Sequence, residues 1–183
     1  MDIKILDNFL SSTYVDNLES LVTNRTLPLY LSTSTYAGDD FEKGKESPQF
    51  THVFVEDGQL QSSYTPQIEP IIFNFQAKTE VLRDRKITRC KLNFNYKDVS
   101  YAKDEFYPMH KDVGEHKGIT AIYYVNDCDG DTLFFNNKNK VVKAVTPKKG
   151  RIVYFDNQIL HAGQPPKESM YRILINFNWI NNA

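Results

Sequence analysis

A chain of 183 residues is long enough for one domain with a hydrophobic core and too short to expect two. Its net charge of −1, with 25% charged residues, offers no basic footprint for a phosphate backbone and excludes nucleic acid as the expected main partner. No apolar run approaches the ~20 residues of a membrane span, and Met1-Asp2-Ile3-Lys4 lacks a secretory leader pattern. The expectation is a soluble, cytoplasmic protein with no membrane partner, folded as a single domain over residues 1–183. Cys90 and Cys128 are too few for a disulfide framework and read as reduced thiols.

In chain order, Ile3–Leu6 reads as a short strand. Ser11-Ser12-Thr13 then supplies N-cap chemistry for a helix with Tyr14, Leu18, Leu21 and Val22 on one face. Residues 32–48 are rich in Ser, Thr, Gly, Asp and Lys and lack periodicity, so they read as a long loop carrying Tyr36 and Phe41. Strand composition returns at Thr51–Val55. Pro66 then opens a second helix with Ile68, Ile71, Ile72 and Phe75 on one side, its start blurred by Pro70. These first 86 residues are expected to support a core spanning residues 87–180.

From there the period is two. Cys90, Leu92, Phe94 and Tyr96 alternate with Arg89, Lys91, Asn93 and Asn95, which predicts a half-buried strand. A polar loop, residues 97–105, leads into short strands at Met109–Val113, Ile119–Val125, Thr132–Phe135, Val141–Val145, Arg151–Phe155 and Tyr171–Trp179. Turn clusters such as Asn126-Asp127-Cys128-Asp129-Gly130 separate several of them. Many short punctuated strands predict a mainly β (α+β) fold with a jelly-roll core and the two N-terminal helices on one sheet.

The chemistry concentrates late in the chain. On a strand, residues two apart share a face, so His110 and Asp112 can grip one ion while Lys111 points away. His161, two hairpins later, faces them across a jelly-roll interior. Two imidazoles and one carboxylate are the set that holds non-haem Fe(II) on one face and leaves the remaining positions open. Arg172 precedes the apolar run Ile173-Leu174-Ile175, and no Asp or Glu follows Glu168. A buried guanidinium needs a planar anion, so a ligand carboxylate is the economical partner. Tyr124 is placed to add a phenolic hydrogen bond to it. His52, among Val53 and Val55, reads as a packed or hydrogen-bonded histidine, and His116 as a solvated turn residue.

Tyr107-Pro108-Met109-His110-Lys111-Asp112, Ile122-Tyr123-Tyr124-Val125-Asn126, Pro147 through Arg151 to His161-Ala162-Gly163, and Tyr171-Arg172 resemble the 2-oxoglutarate/Fe(II) dioxygenase superfamily. The nearest branch is the prolyl 4-hydroxylase-like enzymes, and the resemblance covers residues 87–180. It implies a double-stranded β-helix with iron held by His110, Asp112 and His161. It also implies 2-oxoglutarate anchored by Arg172 and Tyr124, with O2 as the second cosubstrate and ascorbate left open. Tyr96 and Tyr107 match aromatic positions that line the pocket in this branch. Trp179 matches a pocket tryptophan less well, because strand parity puts it opposite Arg172. Collagen-type relatives carry lysine where this chain has Arg172, which leaves the cosubstrate intact and blurs the substrate.

Hydroxylation of a prolyl residue in a peptide or protein is the implied activity. A free amino acid or other small molecule is the alternative substrate. A cupin-like metal-binding barrel without 2-oxoglutarate chemistry is the alternative of another class. The nucleic-acid branch carries a second arginine where this chain has Asn178. The loops over residues 32–48 and 97–105 are candidate lids.

Overall fold

The computed structural model describes residues 2–33, 48–101, 105–112 and 117–182. Tyr36, Phe41, Val113, His116 and most of the first candidate lid therefore lie outside the described residues. The chain runs through β1 (Lys4–Leu6), α1 (Ser12–Thr23), β2 (Tyr30–Ser32), β3 (Gln49–Glu56), β4 (Gln59–Leu60), α2 (Glu69–Thr79), β5 (Arg85–Tyr96) and β6 (Gly118–Tyr124). It continues through β7 (Thr132–Phe135), β8 (Val141–Val145), β9 (Ile152–Asp156), β10 (His161–Gly163) and β11 (Tyr171–Asn181).

Two antiparallel sheets face each other as a jelly roll. The larger takes the order β1-β9-β6-β11-β5-β3-β2, with β4 paired to β3; the smaller is β10-β7-β8. Strands β2 and β4 carry no strong pattern in the sequence, being three and two residues long. The hairpin joining β3 to β4 turns on Asp57 and Gly58, both with positive φ (50° and 73°), as a tight two-residue connection requires.

Ser11 caps α1 by accepting the Tyr14 amide at 3.3 Å, and Leu18 and Val22 are buried from that helix. Pro66 falls in a separate 3₁₀ turn (Thr65–Gln67), and α2 begins two residues later with Pro70 in its first turn. Proline there is tolerated because the first amides have no intrahelical partner. Both helices cover the outer face of the large sheet, where Ile71 and Phe75 meet Leu92, Tyr123, Ile175 and Trp179. Fully burying a side chain such as Phe75 contributes about 1.5–3 kcal/mol, which fixes the helix layer to the sheet.

The inner face is divided. Ile122, Tyr124, Phe134, Val153, Phe155 and Leu174 close an apolar core between the sheets. Among the described residues, the strand expected over Met109–Val113 shows a single bridge, His110 paired with His161. His52 is buried as a hydrogen-bonded residue, Nδ1 2.7 Å from the Pro28 carbonyl and Nε2 2.6 Å from Ser62 Oγ. Both cysteines are free and buried.

Candidate metal centre and its cavity

The bridge between His110 and His161 sets the geometry from the backbone outward. The His110 amide donates to the His161 carbonyl at 2.9 Å, and the His161 amide returns the bond at 3.1 Å. Each imidazole is then fixed through Nδ1, 2.9 Å from the Pro108 carbonyl for His110 and 3.0 Å from the Ile159 carbonyl for His161. With Nδ1 engaged by a carbonyl, Nε2 is the nitrogen that presents a lone pair. Those Nε2 atoms lie 3.8 and 3.5 Å from the Asp112 carboxylate. Ligand atoms of all three residues fall within 4.8 Å of one another, a set able to grip one cation.

The surroundings keep this donor set ready. Burial pulls the His161 pKa down to about 4, so the ring is neutral and ligating near pH 7. Burial also works to raise the Asp112 carboxyl. The two imidazoles and hydrogen bonds from Asn176 and Thr120 outweigh it and hold the pKa below its ordinary value. Asn176 Nδ2 reaches Asp112 Oδ2 at 3.1 Å and so orients the carboxylate.

A cavity opens beside the triad, bounded by His110, His161, Tyr107, Thr132 and Arg172. Arg172 is only 3% exposed, yet its partners among the described residues are neutral: Nε donates to the Gly130 carbonyl and Nη2 to Thr132 Oγ1, both at 2.8 Å. Among the described residues no carboxylate pairs with it. A buried cation held only by neutral acceptors fits an anionic ligand in the adjoining cavity. Gly130 permits this arrangement, since a Cβ there would sit 2.6 Å from the Gln164 carbonyl oxygen.

The other expected aromatics separate. Tyr107 lines the cavity, its amide donating to the Gly163 carbonyl at 2.8 Å, and burial pushes its phenol pKa up. Tyr124 does not line it. Its hydroxyl lies 2.7 Å from Thr132 Oγ1 and its ring lies beneath the Arg172 guanidinium, 5.8 Å from centroid to Cζ. It therefore buttresses the arginine, and Thr132 is the hydroxyl that faces the cavity. Tyr96 stands outside, 41% exposed, because β5 turns its odd-numbered residues Asn93 and Asn95 toward the cavity. Trp179 packs in the outer core with Phe75 and Phe177, as parity requires.

Residues 96–181 match the sequence model of the 2OG-Fe(II) oxygenase superfamily. This segment belongs to that superfamily. The oxygenase is thus a dioxygenase whose cofactor set is Fe(II), 2-oxoglutarate and O2, and the His-Asp-His donor set fits the iron. No curated protein matches the chain.

Among solved structures, the oxygenase is similar to an oxidoreductase of the 2OG-Fe(II) oxygenase family from Burkholderia pseudomallei. That pair shares a TM-score of 0.70 and 15% identity over 97% of this chain and 84% of that one. A prolyl hydroxylase from Trichoplax adhaerens, in complex with a hypoxia inducible factor oxygen degradation domain peptide fragment, gives 0.67 and 16% over 98% and 83%. A prolyl-4-hydroxylase from Pseudomonas putida gives 0.62 and 15% over 98% and 92%. At these identities the likeness is one of fold, the oxygenase jelly roll. No helix among the described residues is long and apolar enough to cross a membrane.

Proposed function

We propose that the oxygenase hydroxylates a prolyl residue in a peptide or protein. The observation that carries the chemistry is that His110 and His161, grouped with Asp112, share one cavity with a buried Arg172 that has no carboxylate partner among the described residues. Likeness in fold to two prolyl hydroxylases, one bound to a peptide, supports the substrate.

Iron with 2-oxoglutarate and O2 supplies oxidative decarboxylation coupled to insertion of one oxygen atom into a C–H bond. Each side chain has a part. His110, Asp112 and His161 would hold the metal. Arg172, braced by the Gly130 carbonyl and Thr132, would hold the distal carboxylate of 2-oxoglutarate. Tyr124 fixes Thr132 from behind, and Tyr107 walls the cavity against water. We place the protein in the cytoplasm, where free thiols such as Cys90 and Cys128 persist.

The test measures succinate release by the Fe(II)-loaded protein across a panel of proline-containing peptides, with mass spectrometry of each peptide. A product heavier by one oxygen atom on proline is the expected result. Oxygen delivered to free L-proline but to no peptide refutes the peptide assignment. No succinate under any condition refutes the dioxygenase reading of the site.

A further inference from the structure

Across the cavity from the imidazoles, the inner face of the large sheet changes character. Where β6 and β9 present Ile122, Val153 and Phe155, the β3–β5–β11 side presents four carboxamides: Gln49, Asn93, Asn95 and Asn176. Asn95 is paired in register with Arg172 and Asn93 with Leu174, so the amides run from the guanidinium toward Asp112. Gln49 is 1% exposed, Asn95 3% and Asn176 7%.

Buried polar atoms in folded proteins are nearly always hydrogen-bonded. Here Gln49 Nε2, Asn93 Oδ1 and Asn176 Oδ1 have no partner among the described residues. The contact linking wall members is a long one, Asn95 Nδ2 to Gln49 Oε1 at 3.5 Å. Packing alone gives no reason to place three unsatisfied polar atoms around one cavity, because each costs stability in the ligand-free protein.

The unpaired set contains both senses, a donor on Gln49 and acceptors on Asn93 and Asn176. A carboxylate only accepts and an ammonium only donates, so neither alone satisfies both, and a free amino acid brings both senses only by burying two full charges against neutral amides. A neutral group carrying N–H and C=O together satisfies both. Lys91, the next inward position of β5, is paired in register with Asn176 and is not among the residues that line this cavity. We propose that Gln49, Asn93 and Asn176 form a recognition wall for an amide of the substrate, which selects peptide-embedded or amide-blocked residues over free amino acids. This rests on the hydroxylase reading above and names which substrates that site accepts.

The experiment titrates N-acetyl-L-prolinamide, a blocked glycyl-prolyl-glycine peptide and free L-proline into protein loaded with Mn(II) and 2-oxoglutarate, by calorimetry. The blocked probes are expected to bind at least about tenfold more tightly than proline, since each neutral hydrogen bond changes affinity by roughly threefold to tenfold. The near-isosteric double variant Gln49→Met/Asn93→Leu is expected to weaken the blocked probes by about tenfold to a hundredfold. It should also melt close to the parent, because Gln49 Nε2 and Asn93 Oδ1 are unpaired and the Asn95–Gln49 hydrogen bond it breaks is long; a merely structural role would lower the melting temperature markedly. Free proline binding as tightly as the blocked probes, no binding of either, or unchanged affinity in the variant would overturn the wall. So would a variant that loses 2-oxoglutarate instead of the amide probe. A parent protein that takes up no 2-oxoglutarate in the same calorimeter refutes the underlying hydroxylase reading, an outcome distinct from all of these.

Discussion

Replacing Arg172 by Met tests the anchor through binding alone, without turnover. The guanidinium is braced by the Gly130 carbonyl and Thr132 Oγ1 and has its remaining donor capacity beside the cavity. A hydrogen bond to a charged group is worth about 1.5–3 kcal/mol, so a bidentate contact with a ligand carboxylate contributes about 3–4 kcal/mol. Its loss weakens 2-oxoglutarate binding by about 10²- to 10³-fold. At a ligand concentration a hundredfold above the parent Kd, the parent gains about 2.7 kcal/mol of stability and the variant less than about 0.4 kcal/mol. For a domain of this size that is a rise of about 5–11 °C in the parent Tm against less than about 2 °C in the variant. The ligand-free Tm is a poor diagnostic, because the orphaned acceptors cost stability while relief of an unpaired buried cation offsets it. Thermal melts with Mn(II) and graded 2-oxoglutarate read the difference directly. A variant that keeps the parent's ligand-induced shift would show that the carboxylate is held elsewhere.

Three further outcomes follow from the same geometry. Asp112→Asn and His110→Ala should each abolish stoichiometric metal uptake, measured by elemental analysis after dialysis; retention of one ion per chain would refute the triad. Gly130→Ala drives a methyl against the Gln164 carbonyl oxygen and the Pro165 backbone, contacts of 2.6 and 3.0 Å, and should cost about 1–3 kcal/mol in denaturant melts. A loss below a few tenths of that range means this turn accommodates a side chain. The His161 pKa is lowered from 6.5 to about 4, so the fold favours the neutral ring and the unfolded chain takes up the proton first. Stability of the metal-free protein should therefore fall as pH drops through that window. His161→Gln, lacking the group, should show a shallower pH slope of Tm, and equal slopes would remove His161 as the cause.

The triad was legible because its three members carry a chemistry that spacing on strands can align, and Arg172 because no acid follows it in the sequence. Gly130, Thr132 and Asn176 were not. They sit on different segments, and nothing in the order of residues announces that they meet around Arg172 and Asp112. The misplacement of Tyr96 has a sharper cause. Alternation along β5 reveals two faces but not which one meets water, and the polar face of Asn93 and Asn95 looks inward on a cavity. The opposite face carries Cys90, Leu92 and Phe94 into the outer core under the helix layer and leaves Tyr96 exposed at its end. Similarly, the His-x-Asp step reads as a strand, whereas the described residues show a single rung of ladder at His110.

That rung has a consequence for how the centre could change. Because peptide groups rather than imidazoles fasten the two histidine positions together, exchanging either ring for another donor leaves the jaws aligned. Preference among cations, or loss of cation binding altogether, is then reachable by one codon at a time. The scaffold would outlast the chemistry it currently frames.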